Sequence, residues 1–400
     1  MGCVQKIVGL FGEEQEIGVY AHVPFCRRKC PYCDFKSIEA ARAPEDRFAG
    51  CLLKELEKVA GEAGLLKAPL GTIYMGGGTP SILSPDTVAG IIKSIKSFFS
   101  PSEDLEVTLE VNPDTVDLRK LTAFRKGGVT RLSIGFQALD DRHLVLLGRA
   151  HTAEDSLKVF SLAREAGFAN VGVDLMFAIP GQTLADWEST LRRISALKPE
   201  HISLYGLTIE EGTPFHGRYG KERKGLPSEE IEARMYLLAR EVLTASGYSH
   251  YEVSNFALPG FESRHNSRYW KGADYIGIGP SAHSYLSKPL WGRRWWNVAG
   301  PYEYMDRVEK GESPIDAGEV LTREDAMLEA VMLGLRMVEE GLKGTPFAER
   351  FGLTPAEAFT GWDALVSDGL LDKRGQDLVL TEKGLLFLNE ILLHLTPKAL

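Results

Sequence analysis

The chain has 400 residues, a formal net charge of −9, 44% hydrophobic and 25% charged residues. Such a composition fits a soluble globular protein of two or three domains, and the acidic balance argues against non-specific nucleic-acid binding. No apolar run reaches the length of a membrane span, and the apolar stretch in residues 1–12 is too short for a signal peptide.

Residues 1–16 read as a short extension, and the apolar run at 17–23 reads as a first strand. Cys26, Cys30 and Cys33 follow it with the spacing C-x3-C-x2-C. Three thiolates on one loop can hold three corners of a 4Fe–4S cluster. With no fourth cysteine nearby, one iron stays open for another ligand. The five cysteines are an odd number and no secretory signal accompanies them, which argues against a disulfide framework. A zinc site is the alternative, with His22 as fourth ligand, although a strand fixes the direction of that side chain. Cys3 and Cys51 read as incidental thiols. An iron–sulfur cluster and free thiols suit a reducing compartment, most simply the cytoplasm.

Further strands are expected at 72–75, 105–111, 131–135, 171–177 and 201–205. Helical patterns lie between them at 45–60, 85–99, 117–126, 153–166 and 184–197. Six such units predict an α/β fold with a parallel sheet and right-handed crossovers. Six are too few to close an eight-stranded barrel, so the expectation is an open, partial (β/α)6 TIM-like barrel over 17–206. Polar and glycine signals recur where these strands end: the cysteine loop, then Gly76 to Pro80, Glu110, Gln137, Asp174 and Tyr205. Reactive groups gather at that rim in parallel barrels. The triple glycine lets a ligand approach the backbone closely, or it simply makes a tight turn.

Beyond residue 206 the pattern changes. A long helix is expected at 227–246 with Ser228 as its cap, then strands at 248–255 and 275–279 around an Arg-His-Asn-Ser-Arg-Tyr-Trp segment, 264–270. Residues 207–318 read as an extension of the barrel. Residues 319–400 read as a helical domain with one two-strand turn, winged-helix-like but without a basic recognition stripe. That domain is expected to cap the barrel or contact a partner.

The cysteine loop, the Gly76–Pro80 turn and the Leu-Glu-Val-Asn-Pro run at 109–113 together resemble the radical S-adenosylmethionine (SAM) enzymes. Segments at 135–137, 174–183 and 277–283 resemble the coproporphyrinogen-oxidase-like branch of that superfamily. The resemblance implies a 4Fe–4S cluster on Cys26, Cys30 and Cys33, with SAM chelating its open iron. It also implies that Gly76, Gly77 and Thr79 line the SAM site, Glu110 anchors the polar part, Tyr20 lies beside the cluster and Tyr32 borders the adenine. Gln137, Arg149 and Asp174 match further SAM-pocket positions, the alternative for the last two being a structural ion pair.

Two departures divide the branch. True oxygen-independent coproporphyrinogen III oxidases carry a fourth cysteine where this chain has Phe35, and they have a longer N-terminal arm. The 148–151 and 265–270 segments instead resemble the HemW-type haem chaperones. This second resemblance implies haem as cargo, apo-haem proteins as recipients and an electron donor. Peripheral contact with a membrane stays open. His265 offers an imidazole to haem iron, with Tyr269 and Trp270 flanking the porphyrin and Arg264 or Arg268 meeting a propionate. Its alternative is a buried Asn–His turn, and His151 and His283 are competing ligands.

Overall fold

A computed structural model describes residues 16–40, 42–220, 223 and 225–398. Strand positions alternate between two faces, and here the two faces carry different chemistry. Six parallel strands start the sheet: β1 (Ile17–Val23), β2 (Pro69–Gly77), β3 (Ser100–Val111), β4 (Arg131–Gln137), β5 (Asn170–Phe177) and β6 (His201–Gly206). Val19, Ile73, Leu109, Ile134, Val173 and Ile202 share one face with Phe48, Leu56, Ile91, Phe124, Phe160 and Leu191 of the crossover helices. The other face carries Tyr20, Tyr74, Glu110, Ser133, Asp174 and Ser203, on which an apolar parallel sheet could not close.

Six further strands extend the sheet. They are β7 (Ser249–Glu252), β8 (Asn255–Ala257), β9 (Tyr275–Ile278), β10 (His283–Leu286), β11 (Arg293–Asn297) and β12 (Ile315–Val320). The order is β12-β11-β10-β9-β1-β2-β3-β4-β5-β6-β8-β7. The chain thus returns to lay β9 parallel to β1, with Gly18 opposite Tyr275. Antiparallel pairing then carries the sheet outward through β12. The open sheet of six parallel strands matches the expectation. The expected strand at 248–255 is instead the antiparallel pair β7 and β8.

Residues 264–270 form a short helix, Arg264–Trp270, capped by Ser263. Glu106 of β3 accepts from the backbone N–H groups of Arg264 and His265, at 3.2 and 3.1 Å. A carboxylate at a helix N-terminus satisfies two orphan donors, and it holds this helix against the polar face.

A second apolar cluster gathers Val331, Leu335, Phe347, Phe359, Trp362 and Ile391. Its two-stranded turn, Leu371–Arg374 with Asp377–Leu380, lies between helices, as a winged-helix-like fold requires. Arg350 joins it to the sheet through the Tyr285 hydroxyl and the Trp291 carbonyl, at 2.9 and 2.8 Å.

Trp187 is fully buried, and its indole N–H donates to the Met235 carbonyl at 2.9 Å, tying helix Leu184–Leu197 to helix Glu229–Ala245. Trp187→Ala should cost about 3–5 kcal/mol of unfolding free energy. Urea titration checks this, and a loss under about 1 kcal/mol would mean that the contact is not a packing anchor.

Candidate functional site

The cysteine loop is tied at both ends. Phe25–Cys26 pairs in parallel with Ile38–Glu39, and the Lys29 ammonium donates to the carbonyls of Phe35 and Ser37 at 3.1 and 3.2 Å. The turn between the last two cysteines closes with the Cys33 N–H on the Cys30 carbonyl, at 3.1 Å. Pro31 packs on Gly148, where a Cβ would lie 2.6 Å from the proline ring, and its carbonyl accepts from the Phe215 N–H at 3.0 Å. The Thr79 hydroxyl donates to the Cys26 Sγ and the Arg149 guanidinium to the Cys30 Sγ, both at 3.5 Å. All three thiols are free of disulfides.

The loop roofs a cavity of ≈ 360 Å³ at the ends of β2 to β6, within the usual size range of small-molecule sites. Twelve of the residues singled out from sequence line it: Cys26, Cys30, Tyr32, Cys33, Phe35, Gly77, Thr79, Glu110, Gln137, Arg149, Asp174 and Tyr205. Glu110 accepts from the Tyr74 hydroxyl at 2.9 Å and the Gly77 N–H at 3.1 Å. Burial, and then the nearby Asp174, push its carboxyl up to about 7. Burial also raises Asp174, whose oxygens accept from the Ser133 hydroxyl at 3.0 and 3.1 Å. Gln137 holds φ at 65°, a strained conformation for a non-glycine residue and one that collects at functional sites.

The structural ion pair between Arg149 and Asp174 does not form. Arg149 donates instead to the Asn112 side chain, the Gly135 carbonyl and Cys30. Nor does His22 turn to the cysteines. Its Nδ1 meets the Tyr20 hydroxyl at 2.9 Å, and its ring packs against Gly77. His22 therefore does not supply the fourth ligand that the zinc reading needs. Cys51 is buried in its helix with the Met305 carbonyl 3.7 Å away, as a packing thiol should be. Cys3 lies outside the described residues.

Gly77 lines the cavity and carries a backbone constraint as well: its φ is 109°, and a Cβ there would strike the His22 ring at 2.5 Å. Two expectations need correcting. Tyr20 does not line the cysteine cavity. It faces a second cavity of ≈ 660 Å³ on the same side of the sheet, together with His22, Trp270, Tyr275, His283 and Trp296. His265 is fully buried between the two cavities and holds the Thr72 hydroxyl on Nδ1 at 2.8 Å and the Tyr269 hydroxyl on Nε2 at 2.9 Å. Both ring nitrogens are taken, so no imidazole there is free for iron. Gly76 does not itself line the cavity, but its missing Cβ leaves room for Glu110 and Tyr74, which do.

Residues that the sequence reading missed are Ser133, Ser203 and Arg131, which also line the cysteine cavity. Their signal was present as polar residues at every second position of β3 to β6.

With this geometry, the comparisons with known proteins become specific. Residues 20–194 match the radical SAM superfamily, and residues 321–387 match the HemN C-terminal domain. The fold is that of the coproporphyrinogen III oxidase HemN of Escherichia coli, with a TM-score of 0.81 at 24% identity over 96% of this chain and 90% of that one. Fold and cysteine loop define a radical SAM protein. Two relatives narrow this further. The haem chaperone HemW of Bacillus subtilis is 37% identical over 93% of this chain and 97% of its own length. That of Haemophilus influenzae is 33% identical over 94% of this chain and 97% of its own. The chain belongs to the HemW family.

Gly77→Ala should destabilise the fold by at least about 1–2 kcal/mol, the cost of a left-handed backbone. Gly90→Ala, in a helix with open space around it, should instead stabilise by up to about 1 kcal/mol. Denaturant midpoints check both. Equal and small effects would mean that the His22 contact carries no constraint.

Proposed function

We propose that this chain is a haem chaperone, which binds haem and passes it to haem proteins on a scaffold that also holds a 4Fe–4S cluster and SAM. Membership of the HemW family carries the reading. Phe35 supports it. This side chain, 60% exposed, lines the cysteine cavity where the oxidases have a fourth cysteine.

The residues present fit the cofactors. Cys26, Cys30 and Cys33 are a soft donor set suited to iron–sulfur ligation, free of disulfides and placed on one cavity. When bound, the cluster supplies a low-potential electron to the SAM sulfonium. The chain's own residues do the rest. Arg149 sets a positive charge beside Cys30, and Thr79 donates a hydrogen bond to Cys26. Glu110, Gln137 and Asp174 offer acceptors for the amino group and ribose of SAM, and Tyr32 offers a ring to the adenine. Free thiols and the cluster suit a reducing cytoplasm, where an electron donor and the apo-haem recipients would be met. No described helix is long and apolar enough to cross a membrane.

Cys26→Ser, Cys30→Ser and Cys33→Ser should each abolish the brown chromophore, while Cys51→Ser keeps it. Iron and sulfide assays after anaerobic purification decide this, and a loop mutant with full iron and sulfide would sink the cluster assignment.

The pH dependence follows from Glu110. Its folded carboxyl titrates near 7, above the ordinary 4.5. Between these values the folded chain holds a proton that the unfolded chain has lost. Glu110 therefore favours the unliganded fold at low pH, and that contribution disappears as pH rises through 7. An ammonium ligand needs the ionised form. SAM affinity should therefore rise about fivefold from pH 6 to pH 7 and about tenfold by pH 8, then level off. Glu110→Gln should flatten this profile. Isothermal titration measures it, and a wild-type affinity independent of pH would remove Glu110 from the SAM site.

The whole reading is tested by haem titration, transfer to an apo-haem protein, and an anaerobic coproporphyrinogen assay with SAM. Stoichiometric haem binding and transfer with no decarboxylation is expected. Robust decarboxylation without haem transfer would restore the oxidase.

A further inference from the structure

The second cavity continues the polar face of the sheet past β1. Tyr275 of β9, His283 and Tyr285 of β10, and Arg294 and Trp296 of β11 form its floor. Tyr269 and Trp270 of helix Arg264–Trp270 wall one side, and Glu329 and Leu333 of helix Arg323–Gly334 wall another. Its volume of ≈ 660 Å³ exceeds that of the cysteine cavity. The surface is mostly aromatic, which suits a large flat ligand.

Three histidines lie in or beside this space, and two are occupied. His265 holds Thr72 and Tyr269, and His22 holds Tyr20 and faces the Lys36 carbonyl. His283 is exposed, and neither of its ring nitrogens has a hydrogen-bond partner among the described residues. Its ring stacks on Trp296, with centroids 5.5 Å apart and planes 25° from parallel. We infer that His283 is the axial ligand through which this cavity takes haem iron, with Trp270, Tyr275 and Trp296 against the porphyrin. The inference rests on the haem-chaperone reading and supplies its missing binding site.

The loop that presents His283 is built with unusual rigidity. Gly277 and Gly279 pass so close to the His283 and His22 carbonyls that a Cβ would lie 2.0 and 2.6 Å from them. Ser281 holds φ at 58°, strain that persists only where surroundings over-determine it. The surroundings here are a buried carboxylate. Glu55 accepts from the Gly279 N–H at 2.8 Å, the Tyr304 hydroxyl at 2.6 Å and the Asn297 amide at 2.5 Å. Such support fixes a ligand before its metal arrives.

Arg294 is shared between Glu319 and Glu329, so it is not spare for a propionate. A single histidine at an open surface suits a cargo that must leave.

The test is haem titration of the anaerobically purified full-length chain, with His283→Ala, His283→Gln and, as a surface control, His394→Ala. Wild type and control should bind one haem with the Soret band of a histidine ligand. Both His283 variants should bind at least tenfold more weakly, and added imidazole should restore the band. Rescue by imidazole separates lost ligation from lost fold. Unchanged affinity and spectrum in both variants would overturn the assignment while leaving the chaperone reading intact. Failure of the wild type to bind haem at normal cluster content would overturn both.

Discussion

A parallel sheet normally buries two apolar faces. Here one face must bury Arg131, Glu106, Glu110 and Asp174, and the rest of the molecule accommodates that demand. Arg131 is 1% exposed and lies in the field of Glu106, then Tyr74. Glu106 in turn captures the N-terminus of helix Arg264–Trp270. A buried charge left without such partners costs several kcal/mol, of order 3–5 when one partner is removed. The polar face can therefore exist only as a paired network around cavities, and the helix that closes it is recruited by the network itself.

That helix divides the face in two. Tyr74, His265, Tyr269 and Tyr275 stand in a chain of rings, with successive centroids 5.2, 5.2 and 4.6 Å apart. Tyr74 borders the cysteine cavity, and Tyr269 and Tyr275 border the cavity of His283. His265 is a structural member of this wall, its nitrogens tied to Thr72 and Tyr269. A histidine inside an aromatic segment reads from sequence as a ligand because burial and hydrogen bonding are tertiary facts. Here they assign the wall to His265 and leave open nitrogens to His283.

The parallel core was legible because its signals are local. β1 spans Ile17–Val23 as its apolar run implies, and helix Leu184–Leu197 has the bounds its pattern predicts. The rim was legible too, since strand ends place Glu110, Gln137 and Asp174 together whatever the details. Strands β10 to β12 were not. Arg293–Asn297 carries arginine and tryptophan on both faces and shows no alternation, and only pairing with β10 and β12 makes it a strand. Glu55 was equally hidden. It sits in a helical pattern where a glutamate suggests a solvated face, yet it is 3% exposed under the loop of His283. The constraint on Gly77 was hidden for a related reason, because the ring it must clear belongs to another strand.

On the proposed reading, one polar face carries two separate sites, one for the cluster and one for haem. Haem titration of the triple variant Cys26→Ser, Cys30→Ser, Cys33→Ser separates them. The predicted result is a chain with no cluster iron or sulfide that still binds one haem with the wild-type Soret band. Loss of haem binding together with the cluster, in a chain that keeps its fold, would contradict it.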